Sequence, residues 1–286
     1  MEQDNPELTQ PLLYEEVRRR PPIHETYTAN LVELGQLSGE EAREIRTAAQ
    51  QALDTELEEA RKASRTDSPG HAQEDHGKST PLPSAATASM LSSLLRDLSS
   101  LPDGFAPHPK ARALLRRRHA LASKGGLVDW ATAETLAYAT LLSSGTPVRL
   151  SGQDAERGTF GHRHAVLHDS KTGETFTPLA SLPGSNVPFT IHNSPLTESA
   201  VLAFEFGYSL ETPEGLVLWE AQFGDFANVA QVVIDQFIVS SEAKWHQSTN
   251  LCLLLPHGLE GQGPEHSSAR PERFLQLCAS ENIAVA

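Results

Sequence analysis

The sequence contains only two cysteines and no long run of apolar residues. Its uninterrupted apolar stretches fall far short of the ~18–20 residues that a membrane-spanning helix needs. The chain begins Met-Glu-Gln-Asp, which is unlike the basic and then apolar start of a secretory signal peptide. We therefore expect a protein that neither spans a membrane nor attaches to one.

The two cysteines, Cys252 and Cys278, both have apolar neighbours in the sequence. Free cysteine is among the most frequently buried residue types, and disulfides are rare in the reducing environment of the cytosol. The sequence therefore predicts two buried free thiols and a cytoplasmic location.

Positive charge is also scarce. The chain has 23 Lys and Arg against 37 Asp and Glu, which gives a formal net charge of −14 at pH 7. Because nucleic-acid binding depends on a cationic surface, this balance argues against a general nucleic-acid-binding protein. One basic run, residues 110–119, could bind a phosphate group, but in so acidic a chain a solvated helix face is favoured.

Several motifs of hydrolases, metalloproteases and nucleotide-binding proteins are missing. The sequence has no G-x-S-x-G, no H-E-x-x-H, no Walker motif and no G-x-G-x-x-G. His162, His164 and His168 could ligate a metal ion, because a His-x-His pair on a strand projects both rings to one face. No cysteine pair or further motif accompanies these histidines, so we expect no metal site in this chain.

The first 126 residues are expected to be mainly helical. Residues 1–62 form a charged helical linker segment, in which Ser38-Gly-Glu-Glu41 has the spacing of a capping box. Residues 63–88 are rich in Ser, Pro, Thr, Gly and Ala, which predicts a disordered linker. Residues 89–126 return to a helical pattern and lead into the next domain.

The pattern changes after residue 127, where short apolar runs alternate with helical segments. The predicted elements are strands at 147–151, 189–192, 216–221, 250–255 and 283–286, and helices at 130–142, 198–210, 226–240 and 270–279. This alternation predicts an α/β domain with a mostly parallel sheet flanked by helices. Because the chain stops inside a predicted strand, we expect residues 127–286 to be a C-terminally truncated domain.

The strand at 216–221 is followed immediately by a turn of polar and aromatic residues, 222–228. Open α/β sheets bind ligands at the carboxyl ends of their strands. The loops 151–164, 192–198 and 256–268 should reach the same edge of the sheet. From the pattern alone, a ligand pocket and an ordinary strand-to-helix corner are about equally supported.

Glu198 begins the predicted helix 198–210, whose following residues include Val201, Leu202 and Phe204. A carboxylate in the first turn of a helix gains ~0.3–1 kcal/mol from the helix dipole, and this structural role is favoured when Glu198 is considered alone. The alternative is a partly buried carboxyl group that takes part in acid–base chemistry.

Five strings favour the second alternative. They are residues 148–154, 158–165, 219–228, 234–237 and 261–270. Together they resemble the transketolase-like pyrimidine-binding domain in the first, decarboxylating component of the 2-oxoglutarate dehydrogenase complex. The resemblance covers about residues 127–286 and extends weakly to residues 9–14, whereas residues 63–88 match no part of it that we could place.

The resemblance implies a thiamine diphosphate-binding fold. It also implies oxidative decarboxylation of 2-oxoglutarate, with succinyl transfer to a lipoyl group in the tricarboxylic acid cycle. Glu198 would hydrogen-bond the pyrimidine ring nitrogen of thiamine diphosphate, Phe226 would stack on that ring, and His266 would lie near the thiazolium ring as a second catalytic residue. The other implied site residues are Leu196 and Gln222 for the cofactor, and Gln153, Asp154, His162 and His164 at the entrance.

The sequence departs from the family in one respect. The family binds the diphosphate and Mg²⁺ in a preceding domain, through Gly-Asp-Gly followed by paired Asn, but Asp103-Gly104 here lacks both the first Gly and the Asn pair. The expected partners are that diphosphate-binding domain, the lipoyl-bearing succinyltransferase and a second copy in a homodimer. The chain alone is expected to be inactive. The alternatives are a non-catalytic interaction or relic fragment, or a thiamine enzyme for another 2-oxo acid.

Overall fold

The computed structural model describes residues 5–66, 86–258, 263–279 and 282–286. The chain divides into two compact units, Glu15–Ser84 and the remainder, Met1–Tyr14 with Ala85–Ala286. Across the described residues, every helix is either too short or too polar to cross a membrane.

The smaller unit is helical, as predicted. It contains α2 (Ile23–Glu33) and α3 (Gly39–Thr66), while α1 (Pro11–Arg19) runs across the boundary between the units. Ser38 and Glu41 form the predicted capping box. The Glu41 N–H donates to Ser38 Oγ at 3.1 Å, and the Ser38 N–H donates to the Glu41 carboxylate at 2.8 Å.

Most of the predicted linker, residues 67–85, lies outside the described residues. Its two ends are helical rather than irregular, because α3 continues to Thr66 and α4 (Ala88–Leu98) already begins at Ala88. Next comes α5 (Pro109–Lys124), which carries the basic run. Apart from the buried Arg118, the cations of that run are exposed, as expected of a solvated helix face.

The larger unit is built on one parallel sheet. Its elements are α6 (Trp130–Ser143), β1 (Val148–Gly152), β2 (Leu167–His168), β3 (Thr175–Phe176), β4 (Phe189–Asn193), α7 (Glu198–Glu211), β5 (Leu216–Glu220) and β6 (Leu251–Leu254). The four longer strands pair in the order β4-β1-β5-β6, all parallel, and β2 and β3 form a small antiparallel pair. The predicted α/β class with a parallel, helix-flanked sheet is confirmed.

Helices cover both faces of this sheet. On one face, Leu98 of α4 and Leu142 of α6 pack with Leu150 of β1. On the other face, Leu202 of α7 packs with Trp219 of β5. Because β5 is buried on both faces, it reads in the sequence as a continuous apolar run rather than an alternating one.

The predicted single helix at 226–240 is wrong. The chain instead forms a 3₁₀ helix (Gly224–Ala230), one turn of α8 (Gln231–Val233), a π-helical turn (Ile234–Ile238) and α9 (Ser241–Trp245). A regular helix would turn Val229 and Val232 towards the core together with Val233. The changes in helical pitch leave Val229 and Val232 exposed and bury Val233 beside Ile234.

Two other predictions fail at the C-terminal end, which includes α10 (Pro264–Ser267) and α11 (Pro271–Leu277). Residues 283–286 form no strand. Apolar composition favours a strand, but a strand also needs a neighbouring strand to pair with.

Cys252 and Cys278 are free, as expected, but exposed rather than buried. Cys252 lies on β6, which has a paired strand on one side only in the described sheet, and Cys278 follows α11.

Gly152 ends β1 at a point where the backbone of β5 comes very close. Its φ is +156°, and a Cβ there would lie 2.2 Å from the carbonyl oxygen of Glu220. We expect Gly152→Ala to lower the free energy of unfolding by about 1–3 kcal/mol in urea titrations. The matched control is Gly207→Ala, on the exposed side of α7 with nothing near its Cβ position. It should raise stability by about 0.5–1 kcal/mol, and the same sign for both variants would contradict this account.

Candidate functional site

All four parallel strands end at the same edge of the sheet, and the polar loops that follow them meet there. The Ser194 N–H donates to the Gly152 carbonyl oxygen at 2.9 Å, which joins the loops after β4 and β1. The Gly224 N–H donates to the Pro256 carbonyl oxygen at 3.1 Å, which joins the loops after β5 and β6. The predicted gathering of loops is therefore confirmed, although residues 259–262 of the last loop lie outside the described part.

His266 and Phe226, two of the predicted site residues, lie in contact. The His266 ring stacks on Phe223 with centroids 4.4 Å apart and planes 18° apart, and its centroid is 5.1 Å from that of Phe226. His266 Nδ1 lies 3.1 Å and 3.3 Å from the two carboxylate oxygens of Asp225. The turn after β5 and α10 thus form a single aromatic and acidic cluster.

The close approach in this cluster depends on Gly224. A Cβ there would lie 2.4 Å from the Cβ of Ala269 and 2.5 Å from the carbonyl oxygen of Pro256. Any larger residue would push the loop after β6 away from the turn. His266 would then move away from Asp225 and Phe223.

Glu198 is the first residue of α7 and is half-buried. No hydrogen bond or ion pair to its carboxylate is found among the described residues. Helix α7 packs against the 3₁₀ helix Gly224–Ala230, which carries Phe226. Leu196, two residues earlier, is 50% exposed, so both side chains remain accessible to a ligand.

Gln222 connects the turn to the loop after β1. Its Nε2 donates to Asp154 Oδ2 at 3.2 Å, and its backbone carbonyl accepts from Thr159 Oγ1 at 2.7 Å. Its Oε1 is buried, and no partner for it is present in the part of the chain that the structure describes. Asp154 also accepts from Arg157 at 3.0 Å, whereas Gln153 is simply exposed.

Arg163 lies at the centre of a buried ion-pair network. Its guanidinium donates to both carboxylate oxygens of Glu220 at 2.6 and 2.8 Å, to Glu134 at 2.6 Å and to the Ala155 carbonyl at 2.8 Å. The side chains of Arg163 and Glu220 are only 2% and 4% exposed. The network fastens the loop after β1 to the end of β5 and to α6.

This network predicts a pH dependence of stability. Burial alone would raise the pKa of Glu134, but hydrogen bonds and charge from His162 and Arg163 outweigh it and lower the pKa from 4.5 to about 2. The carboxylate therefore stabilises the fold above about pH 4.5 and loses that contribution as the pH falls towards 2. In urea titrations, Glu134→Gln should show a shallower loss of stability across this window. If the free energy of unfolding fell equally steeply with pH in the wild type and in Glu134→Gln, Glu134 would not be the source of this pH dependence.

The two predicted entrance histidines are not on a strand. His162 and His164 lie in an irregular loop, where His164 has a φ of +45°, so the expected strand projection of both rings to one face is wrong. Burial, with some help from the charges of Arg157 and Arg118, lowers the pKa of His164 to about 4, so this ring is neutral at pH 7. Across the described residues, no group of three or more His, Cys, Asp or Glu could hold a metal ion.

A cavity of about 600 Å³ opens beside this loop, within the larger unit. It is lined by Phe160, His162 and His164 from the loop and by Phe223 from the turn. Because Phe223 also stacks on His266, the cavity adjoins the aromatic cluster. Its volume lies within the range typical of small-molecule sites.

The sequence does not predict the partners of these site residues. It marks Asp225 and Phe223 only as polar and aromatic members of the turn, and it gives no sign that Arg163 pairs with Glu220. The available signal was the string Phe223-Gly-Asp-Phe226 directly after a buried strand. That string places an acid and two rings at the sheet edge but does not say what they contact.

Comparison with known proteins gives consistent matches. The family described as "Transketolase, pyrimidine binding domain" matches residues 127–286. The "2-oxoglutarate dehydrogenase E1 component" of Bacillus cereus (strain AH187) is 46% identical over 288 residues, and that of Bacillus anthracis (strain A0248) is 44% identical. Each match covers 100% of this chain and 30% of the relative. The likeness therefore extends through the N-terminal helices and across residues 63–88, further than the motifs alone indicated.

Proposed function

Because the chain belongs to the family of the transketolase pyrimidine-binding domain, we propose that it binds the aminopyrimidine end of thiamine diphosphate at the carboxyl edge of its sheet. The observation that carries this proposal is the carboxylate of Glu198. Glu198 is half-buried at the start of α7, and its carboxylate has no partner among the described residues. Helix α7 packs against the 3₁₀ helix Gly224–Ala230, which contains Phe226. A half-buried acid on a helix that packs against the element carrying a partly exposed aromatic ring fits a flat, basic heterocycle.

Each residue then has a distinct role. Glu198 hydrogen-bonds the pyrimidine ring nitrogen and holds a proton there. Phe226 stacks on the ring, which adds about 0.5–1.5 kcal/mol beyond the burial of area and fixes the ring against Glu198. Leu196 would support the two rings of the bound cofactor. The unpartnered Oε1 of Gln222 is an acceptor for a donor on the ligand.

The reaction that we propose is that of the named relatives, oxidative decarboxylation of 2-oxoglutarate with succinyl transfer to a lipoyl group. It places the protein in the tricarboxylic acid cycle. When bound, thiamine diphosphate supplies a nucleophilic carbon and an electron sink for the loss of carbon dioxide. The identities of 46% and 44% to 2-oxoglutarate dehydrogenase E1 components support this choice.

His266 is the residue that we assign to the substrate side of the site. Phe223 and Phe226 pack around its ring, which excludes water from that side of the imidazole. Its Nε2, on the side away from Asp225, is the atom that hydrogen-bonds the substrate or accepts a proton from it. Gln153, Asp154, His162 and His164 would line the entrance, beside the cavity described above.

The proposal requires partners, because this chain spans about 30% of the length of the relatives that it matches. We propose that a diphosphate-binding domain holds the diphosphate and Mg²⁺. The lipoyl-bearing succinyltransferase accepts the succinyl group, and a second copy completes a homodimer. The chain alone should therefore be inactive.

The test combines the chain with a polypeptide that carries the diphosphate-binding domain. The assay measures reduction of an artificial electron acceptor that depends on thiamine diphosphate, Mg²⁺ and 2-oxoglutarate, with pyruvate and a branched-chain 2-oxo acid as parallel substrates. Preference for 2-oxoglutarate supports the proposal, whereas preference for another acid indicates a different dehydrogenase of the same class. No activity with any substrate would favour a non-catalytic or relic role.

A further inference from the structure

Asp225 is a buried acid whose carboxylate faces the ring of His266. It lies in the first turn of the 3₁₀ helix Gly224–Ala230, and its side chain is only 8% exposed. Both carboxylate oxygens face the same atom, His266 Nδ1, at 3.1 and 3.3 Å. Leaving a buried carboxylate without a hydrogen-bond donor costs several kcal/mol, so His266 is the group that makes this burial tolerable.

The pairing determines which nitrogen of His266 carries a proton. An ionised carboxylate only accepts hydrogen bonds, so Nδ1 must donate. In a neutral imidazole one nitrogen is a donor and the other an acceptor, which leaves Nε2 as the acceptor.

The surrounding rings determine where Nε2 points. Phe223 stacks on one face of the imidazole, and Phe226 packs at an interplanar angle of 59°. Tilting the imidazole out of its plane would break the stacking, and a half-turn about the Cβ–Cγ bond would break the hydrogen bond to Asp225. Glu265, the other acid near the ring, is 60% exposed, and its Oε1 is 3.6 Å from Nε2, which is too long for a hydrogen bond.

We propose that Asp225 is a positioning residue that holds His266 in the Nδ1–H tautomer and presents Nε2 as a proton acceptor. The use of that acceptor in 2-oxo-acid chemistry rests on the function proposed above. The tautomer itself does not, because it follows from contacts within this chain.

The first test reads the tautomer without any assay of activity. The chain is labelled with ¹⁵N-histidine, and long-range ¹H–¹⁵N couplings report whether Nδ1 or Nε2 is protonated. A His266→Gln sample identifies the His266 signals among those of the 12 histidines. We expect Nδ1–H in the wild type and mainly Nε2–H in Asp225→Ala. Asp225→Leu fills the space without an acceptor and should give the same result. It serves as the second variant if the smaller side chain of Asp225→Ala destabilises the turn.

Glu265→Gln is the matched control, because it neutralises the neighbouring acid and should leave the tautomer unchanged. In the assembled enzyme, Asp225→Leu should lower kcat about 10²-fold and change KM for 2-oxoglutarate by less than about threefold, as expected for a misplaced group. An unchanged tautomer in folded Asp225→Ala and Asp225→Leu would overturn the inference. An inactive wild-type assembly with the expected tautomers would overturn the proposed function and leave the role of Asp225 standing.

Discussion

Glu198→Gln should lower the rate of 2-oxoglutarate decarboxylation by about 10²–10⁴-fold in the enzyme assembled with a diphosphate-binding domain. The substitution preserves the shape of the side chain at the start of α7 but removes the carboxyl group. A glutamine amide is a poor acid and a poor base, so it cannot hold and release a proton at the pyrimidine nitrogen. The proposed binding surface, Phe226 and Leu196, is unchanged, so cofactor affinity should fall much less than the rate.

The measurement separates chemistry from binding. Deuterium exchange at the reactive carbon of the thiazolium ring, followed by NMR in quenched samples, reports the proton transfer in which we propose that Glu198 takes part. Cofactor affinity comes from calorimetry on the same assembly.

Glu211→Gln, the same change at the exposed C-terminal end of α7, is the matched control and should leave the exchange rate unchanged. Exchange at the wild-type rate in Glu198→Gln would remove Glu198 from the reaction.

The parallel sheet could be predicted because its buried strands leave a direct signal in the sequence. β5 is a short apolar run followed by a break at Gly224, and the limits of the strand agree with the prediction to within one residue. Parallel strands must end at the same edge, so the meeting of the loops followed from the strand assignments. The roles proposed for Glu198, Phe226 and His266 rest on the family resemblance, because helical or strand periodicity carries no information about a cofactor.

What could not be predicted depends on contacts between residues distant in sequence. Asp225 and His266 are 41 residues apart, and Arg163 and Glu220 are 57 apart. No local pattern distinguishes a paired acid from a solvated one. The irregular helix after Phe226 is another case, since Val229 and Val232 have helical spacing but are exposed, whereas Val233 and Ile234 are buried.

Arg163→Met should lower the free energy of unfolding by about 3–5 kcal/mol. Methionine replaces the bulk of the stem but leaves Glu220 without its cation and Glu134 with His162 as its remaining partner. The Glu220 side chain is 4% exposed and that of Glu134 is 15% exposed, so neither can be solvated without opening the structure. The loop after β1, with Gln153, Asp154 and His162, should also lose its attachment to the end of β5.

Urea unfolding followed by circular dichroism measures this loss, and two further variants show its cause. Arg116→Met removes an exposed cation from α5 and should change stability by less than about 0.5 kcal/mol. Adding Glu220→Gln to Arg163→Met should restore part of the lost stability, because it removes the negative charge of the buried side chain that Arg163 no longer neutralises. If the single variant lost less than about 1 kcal/mol, or if the second substitution made it worse, the network would owe its stability to packing rather than to the pairing of buried charges.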